Sequence, residues 1–280
     1  MKTQPPNEKA KIWRTPDLEG IELLHARFKR HAFNRHFHEG YCLGVIESGA
    51  LGFNYLGKNM VAEAGNINLA IPGETHNGFA ASDQGWQYRM FYLDADLLVK
   101  AASELTERHT GLPAFNTGVI NDPWLAAQIR DLHIALERSQ ADPLELESRL
   151  LWTLGRLIAR HADPKPVIPE HHHAPRAVDR AREYIETHYQ ENISLLDLSR
   201  VAGLSRFHLL RLFHQAVGLP PHAYQQQVRL NRAKDLLAQG NPISDIALES
   251  GFADQSHLNR LFKRMYGVTP GVYSNSVQDA

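Results

Sequence analysis

The sequence predicts a two-domain α+β protein, with a small β-barrel or β-sandwich and flanking helices first and an all-α domain at the C-terminus. Three observations predict this fold class. The chain has 280 residues, which is more than one average domain. Residues 28–93 form short alternating runs punctuated by glycine, which is typical of strands. After residue 177 the apolar residues have helical spacing, and Gly, Pro or Ser separates the segments.

The strand prediction depends on alternation of apolar and polar residues. Ile67 and Leu69 alternate with Asn66 and Asn68, so one face of this strand is expected to be buried. Several such strands at regular turn spacing are typical of a small barrel or sandwich.

Three helical segments follow the strands. The second and third each open with Asp-Pro, at residues 122–123 and 142–143, which places an N-cap before proline at the first helical position. The third segment carries an apolar stripe that consists of Leu146, Leu150, Leu154, Leu157 and Ile158. The helix is expected either to cover the barrel only or also to contact a second copy of the chain, and the sequence leaves both alternatives open.

Residues 162–176 predict a linker, because four prolines in this stretch disfavour both helix and sheet. The stretch also contains His171, His172 and His173. Adjacent histidines in a flexible tract are expected to be solvated, although metal binding is an alternative.

The composition is that of an ordinary globular protein, with 43% hydrophobic and 22% charged residues. The single cysteine, Cys42, excludes an internal disulfide and fits a reducing compartment. The N-terminus lacks an apolar signal region, and no run of apolar residues is long enough to span a membrane. We therefore expect a cytoplasmic protein with no membrane contact.

A helical segment of 12 residues occurs twice in similar form, as "FHLLRLFHQAVG" at residues 207–218 and "SHLNRLFKRMYG" at residues 256–267. A short helix that ends in glycine precedes each copy, "LLDLSRVAG" before one and "ISDIALESG" before the other. Two short helices joined by a glycine-containing turn indicate a helix-turn-helix, so the C-terminal domain is predicted to contain two of them.

Helical spacing divides each repeat into two faces. The predicted core face comprises Leu209, Leu212, Phe213 and Ala216 in the first copy and Leu258, Leu261, Phe262 and Met265 in the second. The opposite face comprises Arg206, Phe207, Leu210, Arg211 and His214 in the first copy and Gln255, Ser256, Asn259, Arg260 and Lys263 in the second. Arginine can pair with guanine, and Gln or Asn with adenine, from a helix in the major groove.

The net charge is weak evidence for nucleic-acid binding. The whole chain has a formal charge of −1, and residues 174–280 carry 12 Lys+Arg against 10 Asp+Glu. The repetition of the two units is the stronger indication. The segment between them, residues 221–239, predicts one helix roughly 28 Å long. Successive major grooves on one DNA face lie about 34 Å apart. One monomer is therefore expected to contact two successive grooves, with a bend in the DNA to make up the difference in length.

Residues 177–273 resemble the DNA-binding domain of the AraC/XylS family of transcription regulators, most specifically in "GFADQSHLNRLFKRMYGVTP" and "RLNRAKDLLAQG". The first half is similar, less strongly, to the cupin-like effector domain of that family, in "NRHFHEGYCLGVIESGALGF" and "AGNINLAIPGETHNGF". The resemblance implies an effector-binding and dimerisation domain at residues 1–162, a linker at 163–175 and a DNA-binding domain at 176–280. It also implies a transcription activator that acts on double-stranded DNA with RNA polymerase and forms a homodimer.

The resemblance also implies which residues contact the ligands. For DNA these are Arg206, Phe207, Leu210, Arg211, Gln255, Ser256, Asn259, Arg260 and Lys263. One departure is His214, where many relatives have lysine, and it weakens one expected phosphate contact. For a small-molecule effector they are Arg35, His36, His76, Tyr88 and Met90. His38 is added with the other two histidines, and Trp86 because its ring can stack on a ring-shaped ligand. Packing in the barrel core is the alternative for each of these residues. Residues 1–14 are expected to be a disordered terminus or a mobile arm over the effector pocket.

Three of these residues, His36, His38 and His76, also have the pattern of a metal site. A His-x-His pair on a strand, with a third histidine from a neighbouring strand, can supply three nitrogen ligands. Metal-binding cupin enzymes add a glutamate; here Glu39 is expected to point away, and Glu47 is too distant. A ligand-lining or structural role is therefore favoured, and no metal or other cofactor is predicted.

Two other functions remain as alternatives to an effector-responsive regulator. One is a metal-dependent cupin enzyme with a DNA-binding tail, and the other is a constitutive DNA-binding protein whose barrel only dimerises. The duplicated helical units favour the regulator, so the chain is not expected to be an enzyme.

Overall fold

The computed structural model describes residues 8–15, 18, 20–138, 142–169 and 174–278. These residues cluster into two compact units. The first contains the described residues up to 138 together with 149–169, and the second contains 142–148 together with 174–278. The histidine triplet of the predicted linker lies outside the described residues.

The first unit is built around nine strands in the described part of the chain. They are β1 (Lys9–Arg14), β2 (Ile21–Phe28), β3 (Phe33–His36), β4 (Tyr41–Tyr55), β5 (Lys58–Glu63), β6 (Ile67–Ala70), β7 (His76–Ala80), β8 (Trp86–Leu93) and β9 (Val119–Ile120). The pairings are antiparallel, and one layer has the order β1-β2-β8-β4-β6-β9. The long strand β4 also pairs with β5 and β7, and β7 pairs with β3, so β4 connects both layers.

A change of direction in β4 lets one strand serve both layers. Its register with β8 shifts between Ile46 and Ser48, and Gly49 follows with φ +72°. A Cβ at Gly49 would lie 2.0 Å from the carbonyl oxygen of Gly85 on the neighbouring chain segment. Glycine is therefore required here both by the backbone conformation and by the close approach.

The strands begin earlier than the alternation predicted. Lys9–Arg14 pairs along its whole length with β2, from Lys9 opposite Arg27 to Arg14 opposite Glu22. The expectation of a disordered terminus is therefore wrong for residues 9–14. The segment is polar because it is an exposed edge strand, and a polar edge strand has no run of apolar residues to reveal it.

Three helices follow β8 and lie at α1 (Ala95–Thr106), α2 (Pro123–Arg138) and α3 (Pro143–His161). The predicted cap of α2 is confirmed, because Asp122 Oδ1 accepts a hydrogen bond from the Leu125 N–H at 3.1 Å. All five members of the apolar stripe on α3 are buried within the single chain. The stripe residues are therefore core of the single chain, since their apolar surface is already removed from water.

The described residues from 174 onward are all-α, as predicted. The helices are α4 (Pro175–Thr187), α5 (Leu195–Ala202), α6 (Arg206–Val217), α7 (Pro221–Ala238), α8 (Ile243–Glu249), α9 (Gln255–Tyr266) and α10 (Pro270–Gln278). The spacer helix α7 has 18 residues and ends one residue before the predicted end. Within the described residues, no helix combines the length and apolar character needed to cross a membrane.

Candidate nucleic-acid interface and effector cavity

The first helix-turn-helix unit consists of α5 and α6. Ser194 caps α5, since its hydroxyl accepts from the Asp197 N–H at 3.1 Å while Asp197 Oδ2 accepts from the Ser194 N–H at 3.2 Å. The helix ends at Gly203 in the left-handed conformation, with φ +68°. Ser205 then caps α6 by accepting from the His208 N–H at 3.4 Å. Local sequence therefore determines both the turn and the start of the second helix.

The second unit consists of α8 and α9 and has the same design. The turn contains Gly251 with φ +79°, where a Cβ would lie 2.8 Å from the Cα of Gln190. Asp254 Oδ1 accepts from the His257 N–H at 2.7 Å and begins α9. Both glycines of the predicted turns therefore adopt a backbone conformation that favours glycine.

Helix α9 has one buried and one exposed face, as predicted. Leu258 and Phe262 are fully buried against α7 and α8. The opposite face is solvent-accessible: Gln255, Ser256, Arg260 and Lys263 are exposed and Asn259 is half-buried. Five polar side chains thus lie on the outer face of a helix that is held firmly by its core.

Helix α6 differs from α9, and here the predicted outer face is partly wrong. Phe207 and Leu210 are 4% and 3% exposed, so they are not available for thymine contacts in this structure. Arg206 and Arg211 are half-buried, and Arg211 Nε is enclosed. The physical reason is that α6 carries apolar residues around most of its circumference, and such a helix is buried on more than one side.

The predicted core face is confirmed in its centre and wrong at its end. Leu209, Leu212 and Phe213 of α6 are buried, as are their counterparts in α9 except the half-buried Leu261. Ala216 and Met265 are exposed instead. Both lie in the last turn, two residues before the glycine that ends the helix, beyond the stretch that packs on neighbouring helices.

The first unit contains a cavity between its sheet layers. The space that water could occupy inside it is about 60 Å³. Five of the seven predicted effector residues line it: His36, His38, His76, Tyr88 and Met90. A wider cleft of about 650 Å³ lies beside it along β1 and shares the side chains of His38 and Tyr92.

The other two predicted effector residues do not line the cavity. Arg35 is exposed, because alternation along β3 directs it away from the neighbouring His36. Trp86 is 1% exposed and packs against Phe28 and Tyr88, with ring centroids 5.3 Å and 6.0 Å away. Its ring is therefore part of the core and is not free to stack on a ligand in this structure.

Sequence reasoning missed two tyrosines of the cavity wall, Tyr55 and Tyr92. Tyr92 follows Tyr88 and Met90 at a period of two along β8, so alternation could have found it. Burial raises the pKa of the Tyr92 phenol, as does the nearby Cys42 thiol, so the hydroxyl stays protonated at neutral pH.

The three histidines meet at the cavity. His36 and His76 are direct cross-strand partners on β3 and β7, and His38 follows β3. Burial, and next the neighbouring imidazoles His76 and His36, lowers the pKa of His38 to about 4. Burial likewise lowers the pKa of His76, against a raising contribution from its hydrogen bond to the Glu74 carbonyl. His38 and His76 are therefore uncharged at neutral pH.

Comparison with known proteins gives matches to both units. Residues 19–154 match the family model of the AraC-like ligand binding domain, and residues 198–276 match that of a helix-turn-helix domain. An uncharacterised HTH-type transcriptional regulator of Bacillus subtilis (strain 168), YbfI, is 34% identical over 255 residues, which are 90% of each chain. A probable transcriptional regulator of Photobacterium leiognathi, LumQ, is 41% identical over 91 residues, 32% of this chain and 37% of that protein.

Among solved structures, an AraC-type transcriptional regulator from Chromobacterium violaceum is 31% identical, with a TM-score of 0.35, over 36% of this chain and 92% of that chain.

A sheet-built ligand-binding unit joined to two helix-turn-helix units defines an effector-responsive, DNA-binding transcription regulator. The chain belongs to the AraC/XylS family of such regulators. The family consists of regulators and not of enzymes, which rules against the cupin-enzyme alternative. The two-domain α+β fold class is confirmed.

Proposed function

We propose that this regulator activates transcription by contacting two successive major grooves with α6 and α9 of one monomer, under the control of an effector bound in the first unit. One observation carries the DNA part of the proposal. Helix α9 holds five polar side chains on its outer face, including Arg260 and Lys263, while Leu258 and Phe262 on its other face are fully buried.

The spacer helix supports contact with two grooves. Its 18 residues correspond to roughly 27 Å at 1.5 Å per residue. The groove repeat along one face of DNA is about 34 Å, so the two recognition helices would be held near that separation. A modest bend of the DNA toward the protein would supply the difference.

The two helices are proposed to contribute unequally. On α9, Gln255, Ser256, Asn259 and Arg260 would contact base edges, and Lys263 a phosphate. On α6, Arg206 and Arg211 are half-buried, so we propose that this helix contributes fewer base contacts and more positioning.

Arg260→Ala is expected to lower affinity for the preferred DNA by about 1–3 kcal/mol and to relax specificity at one base pair. Lys263→Ala is expected to weaken binding to all sequences. It should also make the slope of log affinity against log salt concentration shallower by about one. The DNA is first selected from a random pool by the wild-type chain, and affinity is then measured at several salt concentrations.

Arg260→Lys is the matched control, because lysine keeps the charge but lacks the two-pronged donor geometry of arginine. It should retain non-specific binding and still lose specificity. Equal specificity in the wild-type protein and in both Arg260 variants would show that α9 is not the recognition helix.

The effector is proposed to bind at the cavity lined by His36, His38, His76, Tyr88 and Met90 and to extend into the adjoining cleft. The cavity alone holds only a few water molecules at about 60 Å³, so a larger effector needs the cleft as well. The imidazoles and tyrosine hydroxyls offer hydrogen bonds, while the rings offer apolar contact.

An effector from a metabolite library is expected to raise the melting temperature of the full chain. At 100 times its Kd, a ligand contributes about 2.7 kcal/mol, which corresponds to roughly 5–10 °C for a unit of this size. Ala70→Leu fills the cavity from β6 and should abolish this ligand-induced increment. Ala10→Leu makes the same change on the exposed edge strand and should keep it. An increment of equal size in both variants would contradict the proposed site.

The proposal includes RNA polymerase and a second copy of the chain as partners and places the protein in the cytoplasm with its DNA. A dimer is supported by an aromatic surface on α2 and α3. The Arg156 guanidinium lies over the rings of Trp152 and Trp124, at 4.5 Å and 5.9 Å, and Trp124 is 47% exposed. Trp and Arg are enriched in protein interfaces. Sedimentation of the full chain measures the dimer, and transcription in vitro from the selected DNA measures activation.

A further inference from the structure

The imidazoles of His36, His38 and His76 form a compact group of nitrogen donors in the first unit. One ring nitrogen from each lies within 4.8 Å of the other two. The rings come from three places in the chain, the end of β3, the loop after it and the start of β7, and the pairing of β3 with β7 brings them together. Their ring centroids are 4.5–5.2 Å apart.

Backbone carbonyls orient two of the rings toward the centre of the group. His36 Nδ1 donates to the Asn34 carbonyl oxygen at 2.7 Å, and His76 Nδ1 donates to the Glu74 carbonyl oxygen at 3.1 Å. In a neutral imidazole this leaves Nε2 without a proton and its lone pair directed away from the backbone. Metal-binding histidines are held in the same way, by an outer hydrogen bond that selects the tautomer.

The distance between two of the nitrogens suits the binding of one metal ion by both. His36 Nε2 and His38 Nε2 are 3.1 Å apart. Two nitrogens bound to one Zn²⁺ at about 2.0–2.1 Å are themselves separated by roughly 2.8–3.4 Å, for angles between octahedral and tetrahedral. The observed separation therefore needs no movement of the backbone at this pair.

We propose that His36, His38 and His76 bind one divalent transition-metal ion, Zn²⁺ or an ion with similar preference for imidazole, through three nitrogens in the wall of the effector cavity. His38 donates from Nε2 to His36 in the metal-free form. On metal binding His38 changes tautomer: Nε2 releases its proton and Nδ1 takes one up, so the ring stays neutral and the third lone pair is freed. Three protein ligands leave at least one coordination position open toward the cavity.

The open position defines the chemistry of the molecule that would complete the site. Three neutral imidazoles leave the ion with its full double positive charge, and the described residues that line the cavity include no carboxylate. A water molecule or a small ligand with an anionic oxygen would occupy the position. This last step rests on the proposed effector function, whereas binding of the ion itself does not.

The experiment uses the full-length, untagged chain in which His171, His172 and His173 are replaced by Gln, so that any bound ion is held elsewhere. Chelator-treated protein is titrated with Co²⁺ and Zn²⁺, followed by the visible absorption of Co²⁺ and by metal analysis after gel filtration. One ion per chain is expected. His76→Ala should weaken binding by more than the roughly 10- to 100-fold that the loss of an outer hydrogen bond costs. His109→Ala, an exposed loop histidine, should leave binding unchanged.

The outcomes separate this proposal from the effector proposal. If His76→Ala does not fold, His36→Ala supplies the same comparison. No stoichiometric ion, or equal affinity in the wild-type chain and in the His76 and His36 variants, would overturn the metal site. A metabolite that still raises the melting temperature of the metal-free chain would then leave the effector proposal standing. A stoichiometric ion lost in the ligand variants would establish the metal site even if no metabolite binds.

Discussion

Arg229→Ala is expected to destabilise the second unit by about 3–5 kcal/mol, because it removes one partner of a buried ion pair. Arg229 is 1% exposed. Its guanidinium donates to Asp142 at 2.9 Å and to the carbonyl oxygens of Tyr189 and Glu191 at 2.6 Å and 3.0 Å. Alanine would leave a carboxylate and two carbonyls without this donor and would create a cavity beside α7.

The measurement is urea unfolding followed by the helical circular dichroism signal. All four tryptophans belong to the first unit, so tryptophan fluorescence reports that unit and should not change. The control is Arg232→Ala, an exposed arginine on the same helix, which is expected to change stability by no more than about 0.5 kcal/mol. Equal stability of the two variants would show that the Arg229 contacts do not hold this unit together.

Arg89→Ala is expected to destabilise the first unit by a similar amount, about 3–5 kcal/mol at neutral pH. The Arg89 guanidinium bridges two carboxylates, Glu47 at 2.8 Å and Glu137 at 2.6 Å, and also contacts His133 at 3.1 Å. All four side chains are largely buried. Without the arginine, the two carboxylates would lose the closest cation that they share.

The effect has a defined pH dependence. Burial raises the pKa of the Glu47 and Glu137 carboxyls, but hydrogen bonds and charge from Arg89 outweigh it, so both pKa values are lowered. A carboxyl with a lowered folded-state pKa stabilises the fold above its unfolded pKa of about 4.3 and loses this contribution as pH falls through the folded value. The difference between the wild-type chain and Arg89→Ala should therefore shrink below about pH 4.

Tryptophan fluorescence during urea unfolding measures this effect at each pH. Arg130 provides the control, because it contacts the same Glu47 carboxylate at 3.4 Å but is 53% exposed. Arg130→Ala is expected to cost less than about 1 kcal/mol, as exposed ion pairs do. A larger loss in Arg130→Ala than in Arg89→Ala would contradict the role given to burial.

Much of the fold was predictable because local signals agree with it. Helical spacing and the Gly, Pro or Ser breaks predicted the helices of the second unit, and the bounds of α7 were correct to one residue. The edge strand β1 gave no such signal, since its residues are polar and the pairing with β2 supplies its structure. Long-range pairing of β3 with β7 also brings His36 next to His76. In the sequence, only the pattern of a His-x-His pair and a third histidine suggested that contact.

The candidate DNA interface was predictable in α9 and less so in α6. Helical periodicity assigns faces correctly when one side of a helix is polar, as in α9. Phe207 and Leu210 are apolar residues on the presumed outer face of α6, and the sequence does not distinguish an apolar contact to DNA from burial in the protein. The prediction that Arg35 and Trp86 line the cavity was wrong for a related reason. A position near the cavity in sequence does not determine the direction of a side chain.

Selection of bound DNA from a random pool by the full chain distinguishes contact with two major grooves per monomer from contact with one. We expect the site of each monomer to contain two conserved blocks about 10 base pairs apart, which is one helical turn, and Arg260→Ala to erase the preference within only one of them. A single block per monomer, or two blocks that both persist unchanged in Arg260→Ala, would contradict this expectation.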